Sequence, residues 1–316
     1  MDTGPALIVL AILALVLSWY LATGAWARIL IAAARRTAGL RNRAIDVNGL
    51  RWHYLEGGTG PLLVALHGFG GDADNWLRVA RGLGRHFRII APDLPGFGDS
   101  DAPGSLPFDI PSQSARLNAF LEALGEVPEF IAGNSMGGWL ACAYTLEHSE
   151  SVRAIWLLAP LGVASGKPSP LLKAIESDRQ SPISITNESE FKARVVQPMF
   201  GRPPWIPRPL LRFYASRAAR QSADSARRFR EVLESPRKLE AIVGETRVPI
   251  HLQWGSLDRA VNPDGVRVLL QTGAEIDAHL LEGVGHLPML ESAGESKRLW
   301  ISFCRRMGLL ETSDVR

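Results

Sequence analysis

The chain has 316 residues, 46% of them hydrophobic and 21% charged, which fits one large globular domain with an appendage and excludes a disordered polymer. Its 35 Lys and Arg against 32 Asp and Glu leave a formal charge of +3. Much of that excess sits in Arg28, Arg35, Arg36, Arg41 and Arg43, so there is no nucleic-acid footprint on the rest of the chain. The two cysteines, Cys142 and Cys304, are too few for a disulfide framework, and each reads as a small buried apolar residue.

No charged residue occurs from Thr3 to Ala27, and Ala6–Leu17 is almost pure Ala, Leu, Ile and Val. Roughly 20 such residues cross a hydrocarbon core, so the expectation is an N-terminal transmembrane helix. Trp19, Tyr20 and Trp26 lie toward its C-terminal end, where aromatic belts occur. Two other readings compete. A cleaved signal peptide wants a basic leader, which Met1-Asp2-Thr3 lacks, although Ala25-Trp26-Ala27 resembles a cleavage site. A buried core helix is the other. Helical sequence continues through Ile29–Ala34, flanked by Arg28, Arg35 and Arg36, and such a segment suits an anionic membrane surface. The positive-inside rule puts the catalytic domain on the cytoplasmic side.

Ala44–Val47 and Leu50–Leu55 read as a strand pair joined at Asn48-Gly49, a hairpin signal. Leu62–Leu66, Phe87–Ala91, Phe130–Ala132 and Val152–Leu158 are short apolar runs, as strands buried on both faces require. Helical patterns separate them, near Asp74, at Ser112–Leu124 and at Trp139–His148. This alternation predicts an α/β fold, a mostly parallel sheet with helices on both faces. It breaks between Gly162 and Gly244, a stretch rich in Pro, Arg and Ser, and resumes at Val248–Trp254 and Ile276–Leu281. A helix near Ser296–Met307 closes the chain. The expected division is a membrane and juxtamembrane segment at 1–36, a core at 43–161 and 245–316, and a cap at 162–244.

Ser135 stands in Gly133-Asn134-Ser135-Met136-Gly137, between a predicted strand and a predicted helix. That turn is so tight that its flanks must be glycine, and it holds the hydroxyl up as a nucleophile. His286, in Gly285-His286-Leu287-Pro288, is the candidate base, because a serine hydroxyl needs a partner that takes its proton near neutrality. Asp258 comes after the predicted strand ending at Trp254 and is the candidate orienting acid; Asp264, the nearest rival, reads as the start of a helix. The N–H groups of Phe69 and Met136 are the candidate oxyanion donors. His67 reads as a structural support for the Phe69 loop. Met199, Phe200 and Trp205 either line an acyl-chain pocket or pack the cap on the core. No His, Cys or carboxylate cluster has metal spacing, Gly57-Gly58-Thr59-Gly60 lacks the Lys-Ser of a phosphate loop, and the chemistry calls for no cofactor.

These blocks, together with Asp93-Leu94-Pro95-Gly96-Phe97-Gly98 and Trp254-Gly255-Ser256-Leu257-Asp258, resemble the α/β-hydrolase family over Leu50 to Phe303. His67–Trp76 and Gly133–Gly138 resemble bacterial family V lipases and the membrane-anchored monoacylglycerol lipases of animals. The resemblance implies a serine hydrolase cleaving carboxylic esters, acylglycerols or other lipids, by an acyl-enzyme route. Carbon–carbon bond hydrolases of ring-fission products also carry Gly-Asn-Ser-Met-Gly-Gly and are a rival. A membrane-tethered ligand-binding protein without catalysis is a second, although such proteins commonly lose a triad member. Dehalogenases and epoxide hydrolases use Asp where this chain has Ser135.

Overall fold

The continuous apolar runs form the middle of an eight-stranded sheet. The computed structural model describes residues 4–102, 104, 106–163, 168–177 and 185–311. Met1-Asp2-Thr3 and positions 164–167 and 178–184 of the expected cap lie outside them. In chain order the elements begin with α1 (Gly4–Leu21), α2 (Thr23–Ala38), β1 (Leu40–Val47), β2 (Leu50–Gly58) and β3 (Leu62–Leu66). Next come α3 (Leu77–Leu83), β4 (Arg88–Pro92), α4 (Ile110–Leu124), β5 (Phe130–Asn134), α5 (Met136–Glu147) and β6 (Ala154–Leu158). Between β6 and β7 (Ile250–Gly255) lie α6 (Pro170–Ser177), α7 (Glu188–Phe191), α8 (Gln197–Met199), α9 (Arg208–Leu233) and α10 (Leu239–Glu245). The last elements are α11 (Gly265–Leu270), β8 (Ile276–Leu281), α12 (Pro288–Glu291) and α13 (Ala293–Arg306).

The strand order is β1-β2-β4-β3-β5-β6-β7-β8. β3 to β8 pair in parallel, and β2 is antiparallel to both β1 and β4. The β1–β2 turn is the predicted one: Asn48 and Gly49 both have positive φ, 51° and 78°, as a tight hairpin needs. Both strands run longer than the sequence pattern indicates.

Because side chains alternate along a strand, the apolar runs feed two cores. Val64 and Leu66 of β3 and Ile155 and Leu157 of β6 pack with α4, α5 and α10 on one face. Leu63, Ala65, Trp156 and Leu158 pack with α3 and α13 on the other, where Trp156 stacks on Trp300 at 5.3 Å. Cys142 lies in the first core and Cys304 in the second, both as free buried thiols. The parallel sheet covered on both faces is therefore as the sequence indicates.

The N-terminus departs from expectation. The apolar run is broken at Ala22, and α1 and α2 meet at a 93° bend. Among the described residues no single helix is long and apolar enough to cross a membrane; only the bent pair, Leu7–Leu21 with Thr23–Ala38, meets that test together. The cause is local. Trp26 Nε1 donates to Ser18 Oγ at 3.2 Å, and the Trp19 and Trp26 rings pack 5.4 Å apart, which pins the corner. α1 exposes Leu7, Ile8, Leu10, Leu13 and Leu17, whereas α2 buries Ala27, Ile31 and Ala38 on the protein. Trp26 and Ala27, read as the end of a span, thus open a helix that lies on the domain, beside α9.

Candidate active site

Ser135 sits between β5 and α5 with φ 54° and ψ −120°, a strained conformation for a non-glycine residue. The surrounding glycines make it possible. A Cβ on Gly133 would overlap the carbonyl oxygen of Gly137, and one on Gly137 would overlap that of Leu66. A Cβ on Gly68 would come within 3.0 Å of the Ser135 Cβ, so the Phe69 loop passes directly beside the serine. The first N–H groups of a helix have no partner within it. Met136 opens α5, so its N–H belongs to this set.

His286 and Asp258 come from the loops after β8 and β7. His286 Nδ1 is 2.8 Å from Asp258 Oδ2, with both side chains buried. The Asp258 carboxylate also accepts from Trp254 Nε1 at 3.0 Å and from the N–H groups of Ala260 and Val261 at 2.8 and 2.9 Å. A buried charge is tolerated only when satisfied in this way. Its partners leave the acid one orientation, toward the imidazole. Asp264 lies at the N-terminal boundary of α11.

Two further contacts hold the histidine. The His286 N–H donates to the Met199 carbonyl at 2.8 Å. Asn134 Nδ2 donates to the His286 carbonyl at 3.0 Å and to the Leu158 carbonyl at 3.0 Å. Asn134 was not among the residues singled out from sequence. The signal that identifies it is its place next to the serine, because a short amide there faces whatever loop crosses the elbow.

His67 is fully buried. Its Nδ1–H donates to the Gly68 carbonyl at 2.7 Å, and its Nε2 accepts from the Leu94 N–H at 2.9 Å. Both nitrogens are thus used in the neutral form, and burial lowers its pKa to about 4. The imidazole fixes the loop that carries Phe69. The Phe69 ring packs edge-on against Phe97 and against Phe229 of α9, at 5.0 and 4.9 Å.

Three residues beyond Phe69, Asp72 and Asp74 meet two distant arginines. Arg35 of α2 binds Asp74 with two hydrogen bonds, 2.7 and 3.0 Å. Arg217 of α9 binds Asp72 at 2.8 Å and also reaches Asp99. Burial, together with Asp74 and Asp93, pushes Asp72 up to about 8. Burial pushes Asp93 up to about 6.

A cavity of about 460 Å³ opens over Ser135 and His286. Met199, Phe200 and Trp205 all border it, with Phe191, Leu210 and Phe229. Trp205 is 84% exposed, so it belongs to the rim rather than to the packing of cap on core.

One grouping was not visible in the spacing. His251, Asp277 and His279 bring their ligand-type atoms within 4.8 Å of one another. His251 Nδ1–H donates to Asp277 Oδ2 at 2.7 Å and its Nε2 accepts from Gln253 Nε2 at 2.8 Å. Arg306 donates to the same Asp277 oxygen at 2.9 Å. Burial lowers His251 to about 4. Parallel strands β7 and β8 create this cluster from residues 26 positions apart.

Residues 61–293 match the family described as alpha/beta hydrolase fold, and the chain belongs to that family. It is 29% identical to Lipase 1 of Psychrobacter immobilis, over 79% of each chain. It is 24% identical to the human monoacylglycerol lipase ABHD6, over 92% of this chain and 90% of that one. Among solved structures it resembles a membrane phospholipase A, a bacterial virulence factor, with a TM-score of 0.86 and 31% identity. That likeness covers 97% of this chain and 99% of the other.

Proposed function

We propose that this carboxylic ester hydrolase cleaves lipid esters with Ser135 as nucleophile, His286 as base and acid, and Asp258 as the orienting carboxylate. The observation that carries this reading is the buried His286–Asp258 pair, 2.8 Å apart, bordering the same apolar cavity as the strained serine. Ser135 Oγ attacks the ester carbonyl while its proton passes to His286. The oxyanion that forms accepts from the N–H groups of Phe69 and Met136. Collapse expels the alcohol, which takes the proton from His286. Water, deprotonated by His286, then attacks the acyl-serine and releases the carboxylic acid. Asp258 keeps the imidazole in the required tautomer and stabilises its charged form.

The lipid assignment is supported by the apolar lining, by the similarity to lipases and by the exposed apolar surface of α1. Exposed Leu, Ile and Val all around a helix are costly in water. Membrane association through α1, with α2 lying along the interface, removes that cost. Residues 162–244 act as the cap, and the core is 43–161 with 245–316. The arginines of α2 favour a cytoplasmic catalytic domain, which labelling of an engineered cysteine in intact cells tests.

The substrate test is a panel of esters, from acetyl to long-chain monoacylglycerols, with one ring-fission dienoate. The reading expects long-chain acyl esters to turn over fastest; fastest turnover of the dienoate would contradict it.

A further inference from the structure

A second cavity, of about 1100 Å³, lies between α2 and α9. Six arginines border it: Arg28, Arg35, Arg36, Arg41, Arg217 and Arg220. Among the described residues one carboxylate, Asp99, borders it too. Arg35 and Arg217 are held by Asp74, Asp72 and Asp99. Among the described residues no carboxylate pairs with Arg28, Arg36, Arg41 or Arg220; Arg220 donates only to Ser216.

This clustering is a result of helix geometry. Arg28, Ala32, Arg35 and Arg36 recur at intervals that bring them to one side of α2, and Arg217, Arg220 and Gln221 do the same on α9. Like charges so placed repel one another. An anion between the helices removes that repulsion. Guanidinium groups match phosphate oxygens in a bidentate fork, so phosphate is the anion this wall suits best.

The position of the cavity selects the source of the phosphate. Arg28 lies six residues beyond the corner at Ala22, roughly 9 Å along the helix axis from the end of α1. With α1 in a bilayer, that is headgroup depth. Ile29, beside Arg28, is 56% exposed and adds an apolar lip for an acyl chain. A free phosphate ion would leave most of the cavity unfilled, whereas a glycerophosphate headgroup is larger.

We propose that this cavity binds the headgroup of an anionic phospholipid, with its phosphate among Arg28, Arg36 and Arg220. The site is separate from Ser135, although Arg217 and Gln221 border both cavities. The proposal rests on the reading of α1 as membrane-associated.

The test uses the full chain in zwitterionic detergent, carrying Ser135→Ala so that no lipid is consumed. Calorimetric titration compares short-chain phosphatidylglycerol, phosphatidylcholine of the same chain length, and inorganic phosphate. Phosphatidylglycerol should bind saturably and at least about tenfold more tightly than the other two. Combined Arg28→Gln, Arg36→Gln and Arg220→Gln should weaken it by about tenfold or more, while phosphatidylcholine, which enters only the Ser135 cavity, is unaffected. The matching Arg→Lys triple variant keeps the charge and should retain part of the affinity. Unchanged phosphatidylglycerol binding in the Gln variant overturns the proposal. Phosphate binding as tightly as the lipid, with the same arginine dependence, overturns the lipid assignment. Failure of the ester hydrolase reading is seen separately, in turnover by the unmodified protein.

Discussion

The side-chain amide of Asn134 donates to the main-chain carbonyl of His286 at 3.0 Å, across 152 positions of sequence. The residue before the proposed nucleophile thereby holds the loop of its proposed base. Asn134 is 1% exposed and also donates to Leu158. Replacing it by Ala leaves two buried carbonyls without that donor, at a cost of ~1–3 kcal/mol in stability. Small displacements of a base are expensive, so kcat should fall roughly ten- to a hundredfold, with KM little changed. Steady-state kinetics and urea unfolding of Asn134→Ala check both. Unchanged kcat would show that the loop is held by the Met199 contact alone.

Asp258→Asn keeps the size of the side chain and removes its charge. The amide cannot accept from the imidazole and from its other N–H donors as the carboxylate does, so the His286 tautomer is disfavoured. Ester hydrolysis should drop by roughly 10³–10⁴-fold in kcat. An effect below tenfold would mean that another group orients His286.

Trp205 should govern chain length. As an exposed rim residue of the cavity, it gains cover only when a long acyl chain lies against it. Trp205→Ala should raise KM for long-chain monoacylglycerols by roughly tenfold and leave acetyl esters unaffected. Equal effects on both would move Trp205 from substrate contact to cap structure.

His67 sets an acid limit. Its ordinary pKa of 6.5 is lowered to about 4 by burial, so between these values the unfolded chain binds more protons than the folded one. The stabilisation is fully present above pH 6.5 and is lost as pH falls toward 4, by up to ~1.4 kcal/mol per pH unit. Protonation of Nε2 would also break the bond from Leu94 that steadies the Phe69 loop. His67→Asn should lack this slope in urea unfolding measured across the window. Asp72 and Asp93, whose raised values tilt stability the opposite way, are common to both proteins and cancel in the difference. Parallel pH profiles would contradict the buried neutral imidazole.

The parts legible in the sequence are those written by short-range constraints. Continuous apolar runs marked β3, β5 and β6 because a strand covered on both faces has no polar side to show. The glycines around Ser135 marked the elbow because backbone crowds each of them. The corner at Ala22 was not legible, since apolar residues flank it on both sides and it is fixed by Trp19, Trp26 and Ser18. The Asn134–His286 bond, the Arg35–Asp74 pair and the His251–Asp277–His279 group were not legible either. Each joins residues that only the sheet order or the docking of α2 brings together.

The central claim is that Ser135 attacks the ester carbonyl. A fluorophosphonate probe, which phosphonylates an activated serine, tests it by peptide mass spectrometry of the labelled full chain. The account predicts one adduct, on the peptide containing Ser135, lost in Ser135→Ala together with hydrolysis of p-nitrophenyl esters. An adduct on another residue, or undiminished hydrolysis by Ser135→Ala, would contradict it.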